Sequence, residues 1–196
     1  MTGTLNSSYW AKDRAEMMTK NDNYEWINYG ILWRIHLAFD EVAKSSSFSD
    51  EFKKRVFAEL HFLRAAHYFV FAKQYGGLQI IDRVLTLEDN LQIPRSTAAE
   101  TYDFILEDLK LAAGDLPETT ERGRASKAAA HSLIMRVALQ AASYVDGGSS
   151  DSKYYDLVIN SGKALDLNEA GSQLSPYFDM FRAYGSAVAA SEQILT

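Results

Sequence analysis

The chain has 196 residues, a hydrophobic fraction of 47% and a formal net charge of -6 at pH 7. That length and composition fit one folded domain with a sizeable core, while the acidic balance disfavours nucleic acid and anionic membrane surfaces, both of which call for a basic face. The absence of cysteine excludes disulfides, a thiol nucleophile, a cysteine-based zinc site and lipidation within the chain.

The first residues, Met1-Thr2-Gly3-Thr4-Leu5-Asn6, carry neither a basic n-region nor an apolar h-region and do not read as a secretory signal. No apolar run nears the roughly 20 residues of a membrane span. Residues 1–23 read as an N-terminal extension, and 24–196 as one helical domain. From Trp26 to Val42, apolar residues recur at helical spacing through Ile27, Ile31, Ile35 and Ala38. Trp26 and Trp33 are expected in the core. Ser45-Ser46-Ser47 breaks that pattern, and Asp50 is a candidate N-cap for a second helix. The predicted inward stripe of that helix is Phe52, Val56, Leu60, Leu63, His67 and Val70. It ends at Gly76-Gly77, a residue type suited to the left-handed C-terminal cap.

Leu78-Gln79-Ile80-Ile81 reads as an extended connector, and Pro94 argues against helix just beyond it. Thr97-Ala98-Ala99-Glu100 is a capping box that opens a third helix with Tyr102, Ile105, Leu109, Ala112 and Leu116 on one face. Ser126 is the expected cap of a fourth helix bearing Ala129, Leu133, Val137 and Ala141. A fifth begins near Lys153 with Tyr154, Leu157, Val158 and Leu165. Tyr177, Phe178, Met180 and Phe181 form an apolar cluster expected to pack on the bundle. The helices pair as about Tyr24–Tyr75 and about Thr97–Tyr144, each pair being a helix, a turn and a longer helix. The predicted fold is therefore all-α, a single domain of tetratricopeptide-like hairpin repeats in an α-α superhelix.

Candidate chemistry is sparse. His61 and His67 share a helix but stand six residues apart, about 240° around its axis, so they cannot meet at one metal. Glu59 with His61 is not an HExxH arrangement. Asp103 and Glu107 lie side by side on one helix face, unlike the two carboxyls that a glycosidase sets across a cleft. Arg122, Arg124 and Lys127 precede a helix N-terminus and could hold an anion. The plainer reading is a turn closed by an ion pair. Glu59 and Arg64 are expected in helix-to-helix contacts. No cofactor and no metal are called for, and no catalytic constellation emerges.

One segment carries a resemblance. Ala58-Glu59-Leu60-His61-Phe62-Leu63-Arg64-Ala65-Ala66-His67-Tyr68-Phe69, followed by Lys73-Gln74-Tyr75-Gly76-Gly77-Leu78-Gln79-Ile80-Ile81, resembles the signature helix of the SusD/RagB family of nutrient-binding outer-membrane lipoproteins. Gln79 stands where that family usually has proline, and Leu60 replaces a small residue. Pro94-Arg95-Ser96-Thr97, Ile105-Leu106-Glu107-Asp108-Leu109 and Gly123-Arg124-Ala125-Ser126-Lys127 match further family motifs in order. Tyr154-Tyr155, and Tyr177 to Phe181 before Ser191-Glu192, complete a resemblance from about Trp26 to Glu192.

The resemblance implies a non-enzymatic protein that captures oligosaccharide for a SusC-type TonB-dependent transporter. It also implies surface exposure on the outer membrane through a lipid anchor that this chain lacks. Members of the family are much longer, so the chain is expected to be a fragment or a short relative. In the family some glycan contacts come from loops before the first repeats. Tyr9, Trp10 and Tyr24, near Asn21, Asp22 and Asn23, are accordingly the candidate glycan-binding residues, since aromatic faces pack on sugar C–H patches. The alternative is a free-standing tetratricopeptide-like scaffold for protein partners.

Overall fold

The computed structural model describes residues 28–165 apart from Arg122. Five helices make up this part: α1 Tyr29–Lys44, α2 Asp50–Tyr75, α3 Ala98–Asp115, α4 Lys127–Tyr144 and α5 Lys153–Ala164, with no strand among the described residues. The all-α expectation holds. Tyr177, Phe178, Met180 and Phe181 lie outside the described residues.

Each helix begins on a side-chain cap that satisfies an orphan backbone N–H. Asn28 accepts from Gly30 N, Ser49 from Phe52 N, Ser126 from Ala129 N and Ser152 from Tyr154 N. Thr97 and Glu100 form the expected reciprocal capping box. The cap of α2 is Ser49, not Asp50. Asp50 instead joins Glu51 in the first turn, where a negative charge favours the helix dipole.

The helices run alternately up and down. Lys53 Nζ reaches Ala43 O and His67 reaches Asn28 O, so α1 and α2 are antiparallel. Lys54 meets Asp115, Arg64 meets Asp108 and the Tyr68 ring meets Phe104, so α2 and α3 are antiparallel too. Tyr102 beside Tyr144, with Lys127 N bonded to Pro117 O, sets α4 against α3 in the same sense. Every helix packs on the next in sequence, and α2 also touches α4. This is a stack of consecutive hairpins. The second pair differs from expectation in that α3 and α4 are both 18 residues long.

α3 is the centre of the core. Tyr102, Ile105, Leu109 and Ala112 are fully buried, and Leu116 nearly so, because α2 covers one side of α3 and α4 the other. The α4 stripe also falls inward through Ala129, Val137 and Ala141, with Leu133 half-buried. α2 presents a face mostly different from the one predicted. Its buried residues are Ala58, Leu60, Phe62, Arg64, Ala65, Tyr68, Phe69 and Ala72, so of the predicted stripe Leu60 does point inward. Leu63 is 52% exposed, and Phe52 and Val70 are also exposed. Leu63 lies two positions from Ala65, about 160° around the helix, so it faces away from α3. Small residues mark the true face, since alanine lets two helix backbones approach closely. Trp33 and Ile31 on α1 are likewise exposed rather than in the core; Leu32, Ile35 and His36 point inward.

After α2 the chain turns at Gly76, whose positive φ of 71° suits glycine, but whose ψ of -117° differs from the left-handed helical cap expected. At Gly77 a Cβ would overlap the carbonyl oxygen of Ser96. The outgoing and returning ends of the connector therefore touch there, and Ser96 N bonds Leu78 O at 2.9 Å.

Candidate functional site

A buried polar node lies where α1, α2 and α3 meet. Arg64 donates from Nε and Nη2 to the two oxygens of Asp108, both at 2.7 Å. His61 Nδ1 lies 2.8 Å from the same carboxylate. Arg64 and Asp108 are both buried. The guanidinium sits 5.2 Å from the Phe39 ring centroid and 5.1 Å from that of Phe104, so two aromatic faces share in holding its charge. Burial pushes the Asp108 carboxyl up, but the hydrogen bonds from Arg64 and His61 outweigh it and hold the group below its usual range. A carboxylate with both oxygens occupied by fixed donors is a structural anion, not an acid or base.

The same side chains fasten the connector that leaves α2. Tyr68 Oη accepts from Ile81 N at 2.9 Å and lies within hydrogen-bond reach of the Gln79 and Ile81 carbonyls. Burial pushes that hydroxyl well above its ordinary value, so it stays protonated and can donate. His36 Nε2 lies 2.9 Å from Ile81 O, which places the proton on Nε2 and leaves Nδ1 facing Arg64 Nη1. Burial, and then the Arg64 charge, hold His36 below its usual value and therefore neutral. Leu78 N donates to Thr101 Oγ1 on α3 at 3.0 Å. Arg95 donates to Gly77 O at 2.7 Å and also to Tyr75 O.

Above this base the loop braces itself. Arg83 grips Asp89 through two nitrogens at 3.0 and 2.6 Å, and Asp89 Oδ2 accepts from the Thr86 amide at 2.7 Å. The turn so formed carries Leu87, 97% exposed, and Leu91 close behind it is exposed too. The pair keeps Asp89 ionised, the Arg83 and Thr86 donors lowering its carboxyl far below the ordinary range.

Tyr9, Trp10 and Tyr24, the predicted glycan contacts, lie outside the described residues, as does Trp26. The other candidates fall into packing roles. Glu59 receives Arg124 Nε at 3.0 Å and Nη2 at 2.5 Å, and Lys127 meets Glu118 at 3.0 Å. Both described cations of the supposed anion turn are thus paired with carboxylates, as the plainer reading holds. Asp103 is bound by Lys153 Nζ at 2.8 Å and Tyr154 Oη at 2.9 Å, tying α3 to α5. Glu107 faces Lys110. His67 lies 3.1 Å from Asn28 O, on a different side of α2 from His61. Among the described residues no three of His, Asp or Glu gather as a metal site would require. Sequence reasoning missed Asp108 as the partner of Arg64. Its signal was a carboxylate set one residue from Leu109 and three from Ile105, inside an apolar face.

Comparison with known proteins bears on what such a frame belongs to. A SusD-like protein of Bacteroides ovatus is 27% identical over 142 residues, covering 72% of this chain and 26% of the relative. The crystal structure of a SusD-like protein from Bacteroides fragilis is similar at 40% identity and a TM-score of 0.63, over 74% of this chain and 26% of that one. A further crystal structure, solved with a xylogluco-oligosaccharide, matches at 25% identity and a TM-score of 0.68, over 78% of this chain and 30% of its own. The chain spans about a quarter of the curated relative it matches. No helix among the described residues is long and apolar enough to cross a membrane. The SusD-like family model described as "Starch-binding associating with outer membrane" matches residues 1–139, from the first residue into α4, and the chain belongs to that family.

Proposed function

We propose that the protein binds oligosaccharide at the outer face of the outer membrane and passes it to a SusC-type TonB-dependent transporter, without catalysing a reaction on it. The observation that carries this reading is the family match across residues 1–139, joined to the 25%-identical relative solved with a xylogluco-oligosaccharide. The described helices fit the role of a frame. Their buried ions are paired, and the Gly76–Thr97 connector is held from three helices. Sugar contacts are assigned to Tyr9, Trp10 and Tyr24, with Asn21, Asp22 and Asn23 available to the hydroxyls. Tyr9 and Trp10 are adjacent aromatics outside any helical stripe, so no core requirement accounts for them. Attachment to the membrane would be through a lipid anchor.

The test is calorimetric titration of maltoheptaose, a xyloglucan heptasaccharide and laminarihexaose into the 196-residue protein and its Trp10→Ala variant. Binding of at least one sugar, weakened in Trp10→Ala, is expected. Failure of all three sugars to bind overturns the reading, and unchanged affinity in Trp10→Ala removes that residue from the site.

A second reading, a scaffold for protein partners, is favoured by one observation. Leu87 is almost fully exposed on a turn braced by the Arg83–Asp89 pair, and a rigid apolar tip loses little entropy on docking. Under this reading none of the three sugars binds, and Leu87→Asp abolishes capture of a protein or peptide partner.

A further inference from the structure

We infer that the cleft between the first turns of α2 and the end of α3 is a second sugar-binding subsite, with Phe52, backed by Phe48, as its apolar platform. The inference rests on the oligosaccharide reading above. The two rings touch at a tilt of 41° with centroids 4.8 Å apart, and 43% of Phe48 and 45% of Phe52 stay open to solvent. Neither ring belongs to the core, so packing does not account for the pair. Phe52 lines a cleft of about 570 Å³ together with Ser49, Glu51, Lys54, Arg55 and Asp115.

The chemistry of that lining selects a class of ligand. Lys54 Nζ and Asp115 Oδ1 are 2.9 Å apart with both side chains well exposed, and Arg55 is paired with Glu59 at 3.3 Å. Donor and acceptor thus stand next to each other, a pattern that adjacent sugar hydroxyls can meet because each hydroxyl both donates and accepts. The positive charges have carboxylate partners, so the cleft favours a neutral ligand over an anion. One exposed aromatic ring, Phe52, borders a cleft of polar and charged groups, the combination that suits a pyranose with one C–H face and a rim of hydroxyls. Gly114 leaves the α3 side open, since a Cβ there would meet no heavy atom within 4 Å.

The experiment titrates the same three oligosaccharides into the 196-residue protein and two variants. One is Phe48→Ser with Phe52→Ser. The other is Asp115→Ala, which removes a carboxylate from a helix C-terminus, where negative charge is unfavourable, and so keeps the fold even if the double variant does not. Affinity for the sugar that the wild type binds should fall about tenfold or more in each folded variant, the size of one stacking or charged hydroxyl contact. Wild-type affinity in either folded variant overturns the subsite and leaves the oligosaccharide reading standing. Failure of the wild type to bind any of the three overturns both.

Discussion

Replacing Asp108 by alanine tests whether the Arg64–Asp108 pair holds the first three helices together. The substitution leaves a guanidinium, 8% exposed at its side chain, without its anion. Removing one partner of a buried pair costs about 3–5 kcal/mol, because the stranded charge keeps its desolvation penalty. The Phe39 and Phe104 rings offset about 1–2 kcal/mol of that by remaining over the cation, so the net loss should be about 1–4 kcal/mol. Against a domain stability of about 5–15 kcal/mol this is a large fraction. Urea unfolding followed by far-UV circular dichroism reads it as a fall in midpoint at unchanged slope. The companion Arg64→Met, Asp108→Leu replaces both charges with apolar groups and should recover most of the loss. A change below about 0.5 kcal/mol in Asp108→Ala, within the range of ordinary surface substitutions, or a double variant no better than the single one, refutes the reasoning.

Leu63→Ala, on the exposed back of α2, should cost under about 1 kcal/mol, whereas Ile105→Ala in the closed core should cost about 2–5 kcal/mol by transfer loss and cavity; equal thermal shifts would mean the face of α2 is wrongly placed. Gly77→Ala should force the connector ends apart at Ser96, seen as faster amide hydrogen exchange at Ser96 and Leu78 than in wild type, and protection equal to wild type counts against it. Folded His36, His67 and His131 all have lowered affinity for protons, chiefly through burial. Unfolded histidines take up protons near pH 6.5 while the folded ones do not, so stability should fall as pH drops below about 6.5. Asp108 adds to this at lower pH, since its depressed folded value means its contribution is lost only as pH falls through that value. Urea midpoints that rise between pH 7 and pH 5 contradict the assignment.

The helices were legible because their signals are local. Ser126, the Thr97–Glu100 box and Gly76 each act within a turn, and the stripe of α3 is regular because one helix lies on either side of it. α2 was misread for the complementary reason. It bears apolar residues around most of its circumference, so periodicity alone cannot say which arc meets α3, and the large residues Leu63 and Val70 outweighed the alanines that pack closest. Asp50 stood next to Ser49, and two adjacent residues able to cap cannot be ranked from sequence without the backbone angles. The polar node was half legible. Arg64 stood out within a family motif, but its partners His36 and Asp108 lie 28 and 44 residues away, and no short-range pattern links them. The Phe52 cleft was invisible in the same way, because α3 supplies its opposite wall.

The connector between α2 and α3 also bears on how the stack assembles. In a linear array each helix needs only its neighbours, and an end helix can fray without consequence for the rest. Ile81 departs from that rule. Its carbonyl requires His36 of α1, its amide requires Tyr68 of α2, and three residues earlier the Leu78 amide requires Thr101 of α3. If α1 peels away, the Ile81 carbonyl loses its shorter contact and keeps only Tyr68 Oη at 3.3 Å, so the base of the connector loosens. The first three helices therefore rise and fall as one cooperative unit. An event that seats or displaces α1 should therefore be felt first at Ile81, at the base of the connector that carries Leu87.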